Sequence, residues 1–347
     1  MAKRTRTLLV ANPTARTGKA KRAIDAAMQG LEAAGLDPEF LPTEPDGKTV
    51  DSVAARLERE DVARVAYLGG DGTFAESAKG IILARERTGM DHPLAMLPMG
   101  TANDQGRSFG ILAGSKALAR NIEIIAAGVE RWLDVGRIEA LDEHGDVVAR
   151  DLWFDNTGFG LSARILAQRN RDMKVVSKIP LLQSLYRDKV LYVGAGFASF
   201  FKSMAERTRF SCAVMVDGEA HEYTECTDLV VNGTVLYGGD WIFHEGSQPD
   251  DGKFEVVPFS GYGDWVRATI QSHKKNPITD DDRAQMGIAN RRVAQGKNIE
   301  VRIFRPEHVD ILPAQIDGEE FVSTDHYRIE NLFHHLRIIV PEDATWV

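Results

Sequence analysis

Cysteine is nearly absent: Cys212 and Cys226 are the only two in 347 residues. Two thiols are too few for a disulfide framework, and beside no secretory leader they read as reduced, although they could meet across a hairpin. Nine histidines are scattered with no pair at zinc-ligand spacing, which argues against a structural zinc cage. Long apolar runs are missing as well. The longest mostly apolar one, Leu191 to Phe201, has eleven residues, well short of the ~20 that a membrane helix needs. The basic start at Lys3, Arg4 and Arg6 leads into a strand-like run without a cleavage region, so no signal peptide is expected. Positive charge is in deficit, with 42 Lys and Arg against 51 Asp and Glu and a net charge of −9. That balance disfavours a general nucleic-acid scaffold. What remains is an expected cytoplasmic, globular protein. Its 43% hydrophobic and 27% charged residues suffice to fill a core, and its length suggests two domains at ~150 residues each.

The first third alternates strand and helix signals. Thr7 to Ala11 is a short apolar run broken by Asn12-Pro13. Ala23, Ile24, Ala27, Met28 and Leu31 recur at helical spacing within Ala20 to Ala34, and Gly35 closes the segment. A second helix is expected over Val50 to Leu57, a buried strand over Val62 to Leu68, a helix from there to Ala84, and a third strand over Leu94 to Leu97. This rhythm predicts crossover units on a parallel sheet. Beyond Leu133 the texture changes to period-two segments and hairpin turns, as in Val135 to Ala140, Cys212 to Val216, Asp228 to Asn232 and Ile299 to Ile303. Antiparallel sheets packed face to face are expected there, interrupted by a helical stretch from about Leu161 to Ser203.

Three turns follow the three early strands, and each allows an anion to approach closely. Asn12-Pro13-Thr14-Ala15-Arg16-Thr17-Gly18-Lys19 is not a Walker A loop, because Pro13 and Ala20 stand where that motif needs Gly and Ser or Thr. Gly69-Gly70-Asp71-Gly72-Thr73 opens a helix with Glu76 in its first turn. Its glycines admit a phosphate to the backbone, and the helix start adds unpaired N–H donors. Pro98 to Asp104 is the third turn, with Thr101 able to cap and to donate a hydroxyl. Singly each is an ordinary strand-to-helix turn. Together, along one edge of a parallel sheet, they favour a nucleotide site.

Asn12-Pro13, Gly69 to Thr73 and Gly100-Thr101-Ala102-Asn103-Asp104 closely resemble the catalytic domain of diacylglycerol and related lipid kinases, in the soluble bacterial branch that is also similar to sphingosine and ceramide kinases. The resemblance continues in order through Asn156 to Gly160, Asn232-Gly233, Pro249 to Lys253 and Asp317-Gly318-Glu319. It implies an α/β fold with an N-terminal parallel-sheet nucleotide-binding domain and a C-terminal antiparallel β-sandwich domain. The first would span residues 1–133, with 334–347 returning to it through a strand at His335 to Val340, and the second, the lipid domain, residues 134–333. The implied activity is ATP-dependent phosphorylation of a primary hydroxyl on diacylglycerol or a similar lipid, with ATP and Mg²⁺ as cofactors. By resemblance the ATP contacts are Asn12, Pro13, Thr14, Ala15, Arg16, Thr43, Gly70, Asp71, Gly72, Thr73, Phe74, Ala75, Glu76 and Thr101. Glu319 matches the general base, in a catalytic set with Asp71 and Asp317; Gln248, Asp251 and Lys253 match a magnesium site. Two stretches depart from the family pattern: Thr43-Glu44-Pro45-Asp46-Gly47 lacks the usual small, glycine-rich turn, and Gln105-Gly106-Arg107-Ser108 replaces a Phe-Ala-Arg pattern.

Residue chemistry stands beside this. Phosphoryl transfer to an alcohol needs the acceptor proton removed and phosphate charge neutralised, and a carboxylate on a tight hairpin at a domain cleft suits the first task. Asp-Gly is also the commonest hairpin turn, and the chain carries a second copy, Asp217-Gly218-Glu219. Only the family order singles out the later one. Asp71 either holds Mg²⁺ through water near the phosphates or shapes its turn by bonding backbone amides. From Arg164 to Arg209 ten basic residues meet three acidic ones, a net charge of +7 that leaves −16 for the rest of the chain. Apolar residues such as Val175, Ile179, Leu182 and Leu185 are interleaved with them. The segment reads as a reversible, peripheral membrane contact or as a solvated helix face over an ordinary core. Two other readings of the chain are a kinase of a soluble substrate, nearest to NAD kinases, and a lipid-sensing module without turnover. The expected partner is a lipid at a membrane surface, with no nucleic acid and with room for a homodimer.

Overall fold

Short apolar strands punctuated by glycine and proline build the first half of the chain, as seen in a computed structural model that describes residues 6–15, 19–59, 61–100, 103–164, 209–237, 241–242, 246–260, 293–307 and 309–344. The elements run β1 (Arg6–Ala11), α1 (Lys19–Ala33), β2 (Pro38–Pro42), α2 (Lys48–Leu57), β3 (Val62–Gly69), α3 (Asp71–Thr88), β4 (Leu94–Pro98), α4 (Asp104–Ser108) and α5 (Leu118–Ala127). Strands β2, β1, β3 and β4 pair in that order, all parallel. Apolar runs suit this because both faces are covered. Leu8 and Val10 of β1 point to a core with Val53, Leu57, Phe74 and Ile81 from α2 and α3. Leu9 and Ala11 point to the opposite core, with Ile24, Leu31 and Ile122 from α1 and α5. Helix α3 runs past the expected end at Ala84, because the left-handed residue that stops it is Gly89, at φ 72°.

The second half is antiparallel: β5 (Glu130–Leu141), β6 (Val147–Trp153), β7 (Asn156–Gly160), β8 (Phe210–Val216), β9 (Glu219–Cys226), β10 (Asp228–Asn232), β11 (Leu236–Tyr237), β12 (Trp241–Ile242), β13 (Phe254–Phe259), β14 (Ala294–Gly296), β15 (Asn298–Phe304), β16 (Ala314–Ile316), β17 (Glu319–Phe321) and β18 (His326–Ile339). One sheet is ordered β14-β13-β10-β7-β16-β17. It packs face to face on β5, β8, β15 and β18 through Phe159, Val231, Phe254, Val214, Val301 and Tyr327. Cys212 and Cys226 meet across β8 and β9 as buried thiols, not as a disulfide. A hydrogen bond to Cys226 and then burial push the Cys212 thiol up.

Strand β18 joins the halves. The short last strand expected at His335 to Val340 is the end of a 14-residue strand. Antiparallel to β5 along its length, β18 flanks β15 through Arg328 and Ile329 and meets β4 in parallel at Ile338. A bulge between Leu332 and Leu336, with His334 at φ 49°, re-aims the strand where it leaves the sandwich. The two strands thus feed two cores, with Ile138 and Ile329 in the sandwich and Leu133 and Leu336 under the helices. The helical stretch expected from Leu161 is helical to Arg164; the remainder, and with it nearly all of the basic 164–209 segment, lies outside the described residues.

Candidate active site

The carboxyl ends of the four parallel strands gather the early loops along one edge. Asn12 follows β1, Thr43 follows β2, Gly70 follows β3 and Met99-Gly100 follows β4. Asn12 shapes its own loop, with Oδ1 accepting from Thr14 N at 2.9 Å and Thr14 Oγ1 at 2.8 Å. Pro13, Thr14 and Ala15 are exposed beside it. Thr43 is tied to the end of β1 by its N–H on the Ala11 carbonyl, 3.0 Å. Arg16 and Thr101 lie outside the described residues.

The second and third loops touch backbone to backbone. Met99 N and Gly100 N both donate to the Gly69 carbonyl, at 2.6 and 3.0 Å. A Cβ on Gly100 would stand 2.5 Å from Gly70 Cα, so glycine is required there by sheer proximity. Asn103 locks the contact from a left-handed conformation, φ 57°. Its Oδ1 accepts from Gly100 N at 2.7 Å, and its own N–H donates to Asp71 Oδ2 at 3.0 Å. Asp71 therefore does shape the turn. Its other oxygen, Oδ1, is buried with no partner. Burial raises the Asp71 pKa, opposed by the amides of Gln105, Asn103 and Asp104. The first bonds of α3 run from Thr73 and Phe74 N–H to the Gly70 carbonyl, so the N–H groups ahead of them face the turn. Phe74 is a core residue, packed edge to face on Tyr67 and Phe154, and only its main chain can serve a phosphate. Thr73 and Ala75 are half-buried on the first turn, and Gly72 is exposed.

Across from this edge stands the late hairpin. Asp317, at φ 48°, is not free to react: Oδ2 accepts from Phe154 N at 2.8 Å, and Oδ1 from Asp155 N and Asn156 N at 2.8 and 3.2 Å. Burial nevertheless pushes its carboxyl up to about 7. Its work is to fix the turn that precedes Glu319. Glu319 is exposed, and its Oε1 lies 3.3 Å from where a Cβ on Gly72 would stand, directly over the glycine turn. Burial raises the pKa of neighbouring Glu76, and the Glu319 charge adds to the shift against a hydrogen bond with Thr49.

Two carboxylates here were not picked out as site residues from the sequence. Asp155 is buried, with its pKa raised well above normal by burial and then by Asp104, Asp317 and Asp71. Its oxygens accept from Thr234 Oγ1 and from Asn156 Nδ2, the latter at 3.0 Å. In the sequence it is one of two acids, with Asp151, that bracket Leu152-Trp153-Phe154. Asp134 ties the implied magnesium loop to the bulge of β18. Its N–H donates to the Pro249 carbonyl at 2.7 Å, Oδ2 accepts from Gly252 N at 2.6 Å, and Oδ1 accepts from His334 N at 2.8 Å. Within that loop Gln248, Asp251 and Lys253 are exposed. Asp251 caps the turn by accepting Lys253 N at 3.0 Å and Gln295 Nε2 at 3.3 Å. Among the described residues, no three His, Cys, Asp or Glu side chains stand together as a metal cage.

The second Asp-Gly-Glu copy sits elsewhere. Asp217 accepts from Lys297 N and Asn298 N at 2.9 and 2.8 Å, and Glu219 points out with 81% of its side chain exposed.

Residues 6–138 match the family model described as the diacylglycerol kinase catalytic domain. A diacylglycerol kinase of Staphylococcus aureus (strain bovine RF122 / ET3-1) is 32% identical over 136 residues, which is 39% of this chain and 40% of that protein. The match thus spans about 40% of the curated relatives' length. The crystal structure of a diacylglycerol kinase from Bacillus anthracis str. Sterne superposes with a TM-score of 0.68 at 18% identity, covering 99% of this chain and 100% of that one. Yeast NADH kinase complexed with NADH gives 0.54 at 10% identity over 98% of this chain and 84% of that chain. These likenesses show the two-domain fold.

Proposed function

We propose, from the diacylglycerol kinase catalytic domain carried by residues 6–138, that the protein is an ATP-dependent lipid kinase that phosphorylates a primary hydroxyl of diacylglycerol or a related lipid. In this reading residues 1–133 and 334–347 bind the nucleotide and 134–333 the lipid. The observation that carries it is the Glu319 carboxylate over Gly72. A side chain from the second half of the chain stands at the phosphate turn of the first, where an acceptor hydroxyl and a terminal phosphate would meet.

Each residue then has a task set by its surroundings. The α3 N-terminus and the Gly70/Gly100 contact offer main-chain donors to the phosphates. Asn12, Thr14 and Thr43 line the same edge. Exposed Glu319 is free to take the acceptor proton, while Asp317 is held as its anchor. Mg²⁺ fits this donor set as a companion of the phosphates, because it keeps several waters and needs only one or two carboxylates. The buried, unpartnered Oδ1 of Asp71 suits it. The ion would supply neutralisation of phosphate charge. The Pro249 to Lys253 loop, fastened by Asp134, is the second candidate for an ion, through its carbonyls and Asp251.

ATP consumption with mixed micelles containing diacylglycerol tests the reading, run beside arms with NAD and with no acceptor. Lipid-dependent turnover is expected. Turnover on NAD alone would move the protein to the soluble-substrate kinases, and binding of lipid without turnover would leave a sensing module.

A further inference from the structure

The two Asp-Gly-Glu turns have similar φ angles but different supports. Asp217 and Asp317 both sit at φ 48°, and the following glycines at 91° and 79°. Both aspartates collect main-chain N–H groups from a neighbouring segment. Two residues upstream they part. Met215 stands before the first turn and is 43% exposed; Gln315 stands before the second and is fully buried. Its neighbours Ala314 and Ile316 point into the sandwich core, so the amide lies on the opposite face of the sheet.

A fully buried primary amide must be paired to be tolerated. Gln315 Oε1 accepts from Gly318 N at 2.8 Å, inside the turn that ends at Glu319. Its Nε2 donates to Asn156 Oδ1 at 2.7 Å. Asn156 Nδ2 donates onward to Asp155, which also accepts from Thr234. The Gln315 carbonyl accepts from Thr157 Oγ1 at 2.8 Å. Space for the amide is kept by Gly158, where a Cβ would come within 3.1 Å of Gln315 Nε2. The amide is thus a strut from the β7 strand to the main chain one residue before Glu319. Asp317 fixes one side of the turn and Gln315 the other.

We propose that Gln315 is a positioning residue for Glu319: its buried amide, braced on Asn156, holds the Gly318 peptide so that the Glu319 carboxylate stands over Gly72. This rests on the reading of Glu319 as the base. The amide touches neither nucleotide nor lipid and acts only through the turn.

The test is a double-mutant cycle of Gln315→Leu and Glu319→Gln, with kcat, KM for ATP and thermal midpoint measured on the full chain. Gln315→Leu should lower kcat by roughly 10- to 100-fold, the scale of an ångström-sized misplacement, and leave KM for ATP unchanged. The double variant should be no slower than Glu319→Gln alone. Gln315→Glu keeps the shape should the leucine variant fold poorly. Its activity relative to wild type should recover as pH falls, because only the protonated acid both accepts from Gly318 and donates to Asn156. Additive losses, or unchanged kcat in both Gln315 variants, would overturn the positioning role. A Glu319→Gln variant with wild-type kcat would sink the base assignment and this inference together, whereas additivity with an impaired Glu319→Gln sinks this inference alone.

Discussion

Replacing Gly100 with alanine adds one methyl group at the point where the two glycine loops assigned to the phosphates in our proposal touch. The new Cβ would lie 2.5 Å from Gly70 Cα and 2.8 Å from Asn103 Oδ1. Ordinary contact begins near 3.4 Å, so the loops must part by about 1 Å, and the closer neighbour is main chain that cannot swing aside. Parting them weakens the Gly100 N to Asn103 Oδ1 bond and, through Asn103, the bond from Asn103 N to Asp71 Oδ2. At a net ~0.5–1.5 kcal/mol per hydrogen bond the expected loss of stability is about 1–3 kcal/mol, which leaves a folded protein. An ångström-scale displacement of phosphate donors should cost roughly 10²-fold in kcat/KM for ATP. Gly89→Ala is the matched control. Gly89 sits at φ 72° with nothing within 4 Å of its Cβ position, at the end of α3. It should lose about 1 kcal/mol of stability through backbone strain and keep its kinetics. Steady-state kinetics and urea melts on both variants decide the matter. Gly100→Ala with wild-type kcat/KM would refute the assignment of these loops to the nucleotide.

Glu319→Gln should lower kcat by roughly 10²–10⁴ with ATP affinity nearly unchanged, while Glu219→Gln is silent; the reverse pattern in steady-state assays would show that the working hairpin is the other one. Burial, and then the charge of Arg85, hold the His335 pKa down at about 4, against about 6.5 unfolded. The folded state then binds fewer protons, so this contribution is complete above pH 6.5 and is lost as pH falls toward 4. Wild type should lose about 1–2 kcal/mol relative to His335→Gln between pH 7 and 5, a figure reduced for partial exposure; parallel urea-midpoint profiles would contradict it. The comparison must be with the variant, because Asp317 and Glu255, both pushed up to about 7, act in the opposite direction. Neutralising Lys174, Lys178, Arg187 and Lys189 together should raise the apparent KM for lipid in anionic vesicles at low salt and do little with a short-chain soluble substrate. Equal losses on both substrates would place those residues elsewhere than at a membrane contact.

The parallel half was legible because its signals are local. Apolar runs such as Thr7 to Ala11 and Leu94 to Leu97 are buried on both faces, and glycines such as Gly35 mark helix ends through their own φ of 75°. The glycine turns stand out as candidate phosphate loops for the same reason, since a missing Cβ is a property of one residue. Packing decided the rest. Phe74 belongs to the glycine motif by position, yet its ring is claimed by Tyr67 and Phe154. Asp155 is one acid among many in the sequence; it becomes part of the site only where the fold brings Asp71, Asp104 and Asp317 near it. The paired hairpins show the limit most sharply. Both turns carry the same Asp-Gly-Glu residues at similar φ angles, so the turn residues alone do not tell them apart, although Met215 stands two places before one and buried Gln315 two places before the other. Glu219 and Glu319 also differ in what they face: solvent and its strand neighbour His221 for one, and Gly72, some 250 positions away, for the other. A contact at that separation depends on how β5 and β18 hold the two halves together, which the turn residues themselves do not encode.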